Sequence, residues 1–501
     1  MTVSGVSSNI APLIQSALDI NKQLADLQRQ LGSGQKADTY AGLGSQSGIA
    51  VALNAQLSAL TSFDDTMTNV GTNISIQQAV LQQIASIGNT VMSSTIQPSF
   101  AIDSTGQTTE QKTVESQLDQ ILSLLNTQGG NGYLFSGSGV SQPSVDTADH
   151  ILDGNGAQAG LKQVIAERNQ ADLGADGLGR LVIPAAAGAT VSVSEDAASS
   201  PFGLKLAGVN STLTGATVTG PAGSPASISV DLGATNPNNG DSITYTFALP
   251  DGTSQTLQLQ ATTSSPPGPN QFTIGATPAA TAVNLQAALT AGVTQIGTTS
   301  LSAASAMAAS NDFFDDPPQR VSSSPATATA LVDGTAANTV FWYTGQNGSG
   351  SARSTATARI DPTTTVSYGT RANEQGIRSI VQSLAALAAT TYSASDPNAS
   401  ASYAALNSRV YTALGMPAGV QNITDIEGSL ANAQTTMAST KSQHQQTTNM
   451  LSTMQQSIEG VDVNQIGAQI LSLQTALSAS LSATARLSSL NLLTYLSPVT
   501  G

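Results

Sequence analysis

The sequence contains no cysteine among its 501 residues. Disulfide bonds, thiolate nucleophiles and zinc sites with sulfur ligands are therefore excluded. Histidine is limited to His150 and His444, so a catalytic triad or a histidine metal site would have to use one of these two. Neither has the neighbours that such a site needs, and no His-Glu-x-x-His segment occurs. We predict no enzyme activity, no catalytic or metal site and no cofactor.

The surroundings of the two histidines favour structural roles. His150 follows Asp149 in a polar segment and is interpreted as a solvated side chain. His444 falls on an apolar helical stripe, where it fits a polar layer that sets the register of a helix bundle. A pH-sensitive contact is the alternative interpretation of His444.

Charged residues are also scarce, at 9% of the sequence against roughly 25% in an average soluble protein. Lys and Arg total 16 and Asp and Glu total 31, so the net charge is −15, which opposes the electrostatic binding that nucleic acids require. No stretch reaches the ~20 apolar residues of a membrane span, and the first residues lack the pattern of a secretory leader. We expect no nucleic-acid or membrane partner and, if the protein leaves the cell, export without a cleaved signal peptide.

The N-terminal end carries the apolar spacing of a coiled-coil seam. Its apolar residues recur in alternating steps of four and three residues, which places them on the face of a helix that packs against another helix. These residues are Leu13, Ala17, Ile20, Leu24, Leu27 and Leu31. Gly32-Ser33-Gly34 then predicts a helix end, and a run from Ile49 to Val91 predicts a helix of ~40–50 residues.

The C-terminal end mirrors this arrangement. A stripe from Ile426 to Ile458 predicts another long helix, which Gly460 interrupts. Asp462 or Asn464 is suited to cap the next helix. That helix restarts the same spacing at Ile466, Ile470, Leu473 and Leu477 and continues toward Leu487, Leu490 and Leu493. Neither terminal helix has a core of its own, so we expect the two to bury each other while the two long helices form one bundle.

The middle of the chain predicts strands. Between about 138 and 372 the pattern changes to short alternating runs such as Ser242 to Phe247, and Asp251-Gly252 predicts a hairpin turn. The Ala-rich stretch from Ala279 to Asn311 predicts helix. The expected fold class is α+β, with long paired N- and C-terminal coiled-coil-like helices forming a bundle and a β-rich middle region carrying an α+β insert. The expected domains are a terminal helical assembly domain (1–44 with 460–501), a helical bundle domain (45–137 with 373–459), a β-rich outer domain (138–209 with 313–372) and the α+β insert (210–312).

Trp342 and Tyr343 form the densest aromatic cluster of the sequence. Strand core or a subunit contact is the first interpretation of this pair. Carbohydrate stacking is the alternative, and it would make the middle region a surface adhesin or a glycan-binding module.

Three segments at the two ends of the chain carry recognisable motifs. Leu27 to Gly42, with its core Leu31-Gly32-Ser33-Gly34-Gln35-Lys36, resembles the spoke segment that follows the first helix of bacterial flagellins. Asn131 to Gly137 resembles the segment that closes the N-terminal helical half of flagellins. Thr484 to Leu496 is more similar to the hook-associated protein 3 family of hook–filament junction proteins than to filament flagellins, which usually end in a different motif.

The likeness covers residues 1–137 and 373–501. In the middle, Trp342 to Gly345 and Val366 to Glu374 resemble junction and flagellin proteins of alphaproteobacteria, and 210–312 resembles an extra insert seen in some of them. The chain is thus identified as similar to an alphaproteobacterial type of this family.

The resemblance implies a structural subunit that leaves through the flagellar type III export apparatus, with an export chaperone, and is built into the extracellular flagellum. Its termini would become helical on assembly into a ring or tube. Its partners would be further copies of itself, the hook-side junction protein and flagellin. The candidate assembly interface consists of Leu13, Ile20, Leu24, Leu27, Leu31, Ile466, Ile470, Leu473, Leu477, Leu487, Leu490 and Leu493.

Three functions remain open at this point. The first is a passive junction protein that joins hook to filament, and the second is a filament-forming flagellin. The third is the adhesin or glycan-binding module, which would depend on Trp342.

Overall fold

The structure is a computed structural model that describes residues 4–130, 132–322, 324–417 and 419–495 and, within these, all side chains except those of 4–10, 488 and 490–495. Contacts between residues divide the chain into two compact units. The terminal unit comprises Met1–Asn69, Ala358–Val366 and Thr435–Gly501. The central unit comprises Val70–Thr357 and Ser367–Gln434.

Helices dominate both ends of the chain. They are α1 (Ser4–Ser33), α2 (Ser47–Ser94), α3 (Thr109–Leu125), α4 (Ala148–Asp153), α5 (Leu161–Leu173), α6 (Pro278–Ile296), α7 (Ser302–Phe313), α8 (Gln375–Ala389), α9 (Ala399–Leu414), α10 (Ile423–Glu459) and α11 (Val463–Tyr495). A 3₁₀ segment at Tyr40–Gln46 precedes α2, and a π-helical turn at Gly297–Leu301 joins α6 to α7. No helix in the described part of the chain is long and apolar enough to cross a membrane.

Strands occupy the middle of the chain. They are β1 (Gln128–Gly129), β2 (Gly132–Tyr133), β3 (Leu181–Val182), β4 (Thr190–Glu195), β5 (Lys205–Ser211), β6 (Thr217–Ala222), β7 (Ser227–Asp231), β8 (Ser242–Ala248), β9 (Ser254–Thr262), β10 (Gln271–Thr273), β11 (Gln319–Val321), β12 (Leu331–Asp333), β13 (Thr357–Arg359) and β14 (Thr365–Ser367). The predicted α+β class, with long helices at both ends and a β-rich middle, is confirmed.

The predicted ends of the terminal helices follow from local chemistry. Gly34 ends α1 in the left-handed conformation, at φ 73°, and its N–H donates to the Gln30 carbonyl at 2.8 Å. This is a common way for a glycine to satisfy the last carbonyls of a helix. Asp462 is the cap of α11, because its carboxylate accepts the backbone N–H of Asn464 at 2.9 Å and of Gln465 at 3.3 Å.

Two four-stranded sheets build the strand-rich part of the central unit. One has the order β3-β4-β7-β6 and is antiparallel throughout, and the other has the order β10-β9-β8-β5, in which only the β10–β9 pair is parallel. The predicted hairpin is confirmed: β8 pairs with β9 up to Ala248 opposite Ser254, and Gly252 takes a φ of 81° in the turn. Alternate residues Ile243, Tyr245 and Phe247 point into the core.

The expected insert (210–312) is hydrogen-bonded to the rest of the central unit and packs against it. β5 begins before residue 210 and pairs with β8, and β7 pairs with β4. The Ala-rich helix α7 is buried along most of its length and contacts α5, α8 and α9. The division into four domains stays a prediction.

Candidate assembly surface

The predicted partnership of the two terminal helices is present in the terminal unit, where α1 and α11 pack against each other. We call the apolar residues of the two helices that are buried or half-buried the inner face. On α11, Ile466 and Ile470 are buried and Leu473 and Leu477 are half-buried. On α1, the half-buried members are Leu13, Ala17, Ile20, Leu24 and Leu27. Eight of the twelve residues that the sequence indicated for assembly therefore lie on a face that the chain partly covers by itself.

The other four predicted residues lie elsewhere. Leu31 and Leu487 are exposed. Leu490 and Leu493 belong to α11, but their side chains lie outside the described residues. The proposed role of all twelve in assembly stays a prediction.

A second group of apolar residues on the same two helices is exposed, and sequence reasoning missed most of it. Ile14 and Leu18 are each 50% exposed, and Leu471 and Leu481 are 66% and 55% exposed. We define the exposed apolar set as Ile14, Leu18 and Leu31 of α1 with Val463, Leu471, Leu481 and Leu487 of α11. The signal that could have found it is the shortage of charge beside the seam, since Arg486 is the one charged residue in the 33-residue α11.

Exposed apolar side chains at this density favour association. Ile14 and Leu18 are four residues apart, so they lie on one side of α1. Burying the exposed half of such a side chain contributes about 1 kcal/mol. Contiguous exposed apolar groups on a soluble protein mark an interaction surface more often than scattered single ones.

The two breaks that end α1 and α10 are held together by backbone hydrogen bonds. Gln35 and Gly460 form an antiparallel bridge, flanked by bonds from the Lys36 N–H to the Glu459 carbonyl at 2.8 Å and from the Val461 N–H to the Gly34 carbonyl at 3.1 Å. Glycine is required at 460, because a Cβ there would lie 2.5 Å from the Gln456 carbonyl oxygen. We call this bridged region, 34–36 with 459–461, the root of the α1–α11 pair. Backbone hydrogen bonds donated from both segments hold it together.

The side chain of Lys36 reinforces this root. Its Nζ donates to the carbonyls of Ser457 and Ile458, each at 2.9 Å. These are carbonyls of the last turn of α10, where a helix has unsatisfied acceptors and a partial negative charge. Lys36, in the segment that resembles the flagellin spoke, is thus a cap for a helix more than 400 residues later, since the bonds span 421 and 422 positions.

The aromatic cluster is part of the central core. Trp342 is only 3% exposed, its Nε1 donates to the Phe314 carbonyl at 3.2 Å, and its ring meets that of Phe314 edge-on with centroids 5.1 Å apart. Tyr343 is buried as well. Trp342 therefore has no open face on which a sugar could stack, which removes the observation behind the adhesin interpretation.

The central unit also holds a buried ion cluster. Arg168 Nε donates to Asp172 at 3.0 Å, and the same guanidinium binds Asp312 and lies 5.1 Å from the centre of the Phe202 ring. Burial raises the pKa of Asp312 to about 6, against the opposing effect of Arg168, and burial also raises the pKa of Asp172. Among the described residues no three His, Asp or Glu side chains are grouped to hold a metal ion.

Comparison with known proteins bears on the N-terminal helices. Residues 6–139 match the family model described as the bacterial flagellin N-terminal helical region. The match contains most of α1, all of α2 and α3, and the β1–β2 pair. No curated protein matches the chain. The N-terminal helical part of the chain is therefore similar to that of bacterial flagellins, which supports a flagellar structural subunit.

Proposed function

We propose that the protein is a non-enzymatic structural subunit of the bacterial flagellum that assembles with copies of itself through α1 and α11. The observation that carries the proposal is the exposed apolar set on a helix pair whose N-terminal partner matches the flagellin model. The pair buries one apolar face internally and leaves further apolar side chains in water. A neighbouring subunit of the same kind supplies the missing cover.

The energetics favour assembly over a role as a free monomer. Seven exposed apolar residues define the set, and each contributes about 1 kcal/mol when a neighbour covers it. Association must offset an ordering cost of at least ~4 kcal/mol, which a contact repeated around a ring or tube can supply. The low charge of α11 leaves little desolvation penalty.

Within that class we propose the hook–filament junction protein, of the hook-associated protein 3 type found in alphaproteobacteria. Support comes from the sequence of Thr484 to Leu496, which resembles the junction protein rather than filament flagellins. The alternative is a filament-forming flagellin, which the match of residues 6–139 supports equally well.

The remaining parts of the proposal follow from this class. The protein would be exported to the cell exterior by the flagellar type III apparatus, without a cleaved signal peptide and with a dedicated chaperone. Its neighbours in the flagellum would be the hook-side junction protein and flagellin. Its four expected domains would be the terminal helical domain that assembles, the helical bundle domain, the β-rich outer domain and the insert at 210–312.

Immunogold labelling of hook-basal bodies with attached filaments tests this proposal and separates its two forms. A single labelled band where hook meets filament is expected for the junction protein. Label along the whole filament would show a flagellin instead, and absence of label from every part of the flagellum would refute both. A deletion strain adds a second measurement: loss of the junction protein should leave complete hooks and flagellin secreted as monomers.

A further inference from the structure

His444 lies at the meeting point of three segments of the terminal unit. It is 3% exposed on α10, and its ring lies 6.0 Å from that of Phe63 on α2, centre to centre. Its Nδ1 is 3.1 Å from Asp64 Oδ1, and its Nε2 is 3.3 Å from Asp361 Oδ2. Asp361 sits at the tip of the hairpin formed by β13 and β14, so one imidazole joins α10, α2 and that hairpin.

The two contacts place a carboxylate oxygen opposite each ring nitrogen. A neutral imidazole has one N–H donor and one lone pair, whereas the protonated ring has two donors. With both carboxylates ionised, only the protonated ring donates to both partners. The neutral ring must turn a lone pair toward one of the two carboxylates, which are 35% and 30% exposed, and the charge-assisted hydrogen bond to that carboxylate is then lost.

Asp361 stays an acceptor through the neutral range. Its Oδ1 accepts the backbone N–H of Thr363 at 3.1 Å and the Thr363 hydroxyl at 2.9 Å. These bonds lower the pKa of Asp361 below its ordinary value, and the His444 contact acts in the same direction. The carboxylate therefore uses one oxygen to hold the hairpin tip in shape and the other to meet His444.

The nearby charged groups of these segments bind backbone carbonyls or face solvent. Arg359 on the hairpin binds the carbonyls of Asp361, at 3.3 Å, and Pro362. Asp65 on α2 and Lys441 on α10 are exposed to solvent. The hairpin keeps an apolar anchor in Ile360, which is fully buried, so loss of the His444 contact would loosen the tip without removing the hairpin.

We propose that His444 is a proton-dependent clasp, which holds the tip of the β13–β14 hairpin against α2 and α10 while the ring is protonated and loosens it when the proton leaves. The proton is taken from and returned to solvent, and no other bond changes. A change of external pH that adds or removes this proton would set the clasp. This inference stands on the geometry of the terminal unit and does not depend on the proposed function.

Amide hydrogen exchange of the full-length protein tests the clasp. The observable is the exchange rate of a peptide covering 358–366, divided by the rate of an unstructured peptide at the same pH. For the wild type we expect protection to fall on the order of tenfold between pH 5.5 and pH 8, as a charge-assisted hydrogen bond is lost. Equal protection at the two pH values would overturn the proposal.

Two variants and one control complete the test. His444→Gln cannot change its charge, so the fall in protection with pH should disappear. Asp361→Asn should also abolish the fall, because its amide nitrogen can donate to an unprotonated Nε2, and this variant decides the matter if His444→Gln fails to fold. His150→Gln removes the other histidine, which contacts the single carboxylate of Asp146 at 2.9 Å, and should keep the wild-type response. A wild-type response in His444→Gln or Asp361→Asn would exclude the clasp.

Discussion

The α1–α11 pair and the sheet-based part of the central unit differ in how completely they bury their apolar side chains. In the central unit, Tyr245 and Phe247 are fully buried and their rings stack with centroids 6.4 Å apart. In the terminal pair, leucines of the inner face remain half-buried and Ile14 and Leu18 are half exposed. One region completes its apolar core within the chain, and the other has apolar surface left for a neighbour. Changes of similar chemistry should therefore act on folding in one region and on assembly in the other.

The largest effect, a loss of assembly, is expected when a carboxylate is placed in the exposed apolar set. Leu471→Asp and Ile14→Asp should leave the protein folded and secreted but unable to assemble, because burying an unpaired charge costs several kcal/mol in every subunit. The measurement is the amount of protein retained on sheared flagella, together with swimming. Ser482→Asp, which adds the same charge at an exposed polar position of α11, is the matched control for Leu471→Asp.

The same substitution can be made on the inner face. Leu24→Asp and Leu473→Asp change residues that α1 and α11 partly cover themselves. We expect assembly to be lost here too, with no change in the unfolding midpoint of the central unit. Swimming at the wild-type level in Leu471→Asp, Ile14→Asp, Leu24→Asp and Leu473→Asp alike would show that the helix pair is not an assembly surface.

A smaller effect, on folding alone, is expected in the central core. Phe247→Ala removes a fully buried ring and should lower the free energy of unfolding by about 3–5 kcal/mol. The single tryptophan, Trp342, lies in the same unit, so its fluorescence during urea unfolding reports this change. Leu24→Ala, which deletes apolar volume from α1, should leave the same transition in place. Equal shifts of the transition in the two variants would contradict the contrast between the regions.

The effect of pH on the free energy of unfolding of the central unit should be smaller than the effect of Phe247→Ala. Burial raises the pKa of Asp312 to about 6 from an ordinary value of 3.8. Because the folded-state pKa is the higher one, the folded state binds this proton more tightly. The contribution to stability is therefore complete below the ordinary value and is lost as pH rises through about 6. Raising the pH from 4.5 to 7 should lower the free energy of unfolding by about 2 kcal/mol through this group.

Asp312→Asn tests the assignment. The variant should reduce the dependence of the Trp342 unfolding transition on pH between 4.5 and 7, since the amide does not titrate, and should leave the contribution of Asp172, whose pKa burial also raises. Asp119→Asn alters an exposed carboxylate of α3 and should keep the wild-type slope. The slope would have another origin if it were undiminished in Asp312→Asn.

Residue spacing predicted those features that depend on a local period or on one residue type. Steps of four and three residues predicted α1, and the glycines at 34 and 460 predicted the breaks because few other residues fit there. The same spacing could not separate the inner face from the exposed apolar set, since that difference depends on how much of each helix its partner covers. The packing partners of α7 could not be predicted either. This Ala-rich helix is buried on most sides, so its sequence has no single apolar face that would indicate them.

Contacts across long sequence separations lay beyond the reach of pattern reasoning. His444 meets Asp64 from 380 positions away and Asp361 from 83 positions away. The sequence indicated a polar layer at His444 but not the two carboxylates that give the layer its chemistry. In the same way, the resemblance marked Gln35 and Lys36 as part of a spoke segment, while their bonds to the end of α10 depend on the folded arrangement.

The smallest effect is expected at the root of the terminal pair, and it tests whether that root is held by specific bonds or by apolar packing alone. Lys36→Met keeps most of the length of the side chain but removes the cation that caps the Ser457 and Ile458 carbonyls. A favourable charge at a helix end contributes about 0.3–1 kcal/mol, so the loss should be local. Hydrogen exchange across 455–462 should quicken severalfold while the Trp342 unfolding transition stays unchanged. Lys22→Met removes an equal charge from an exposed position of α1 and should leave that exchange as it is. If Lys36→Met had no effect on the exchange of 455–462, the backbone bridge between Gln35 and Gly460 would hold the root without the side chain.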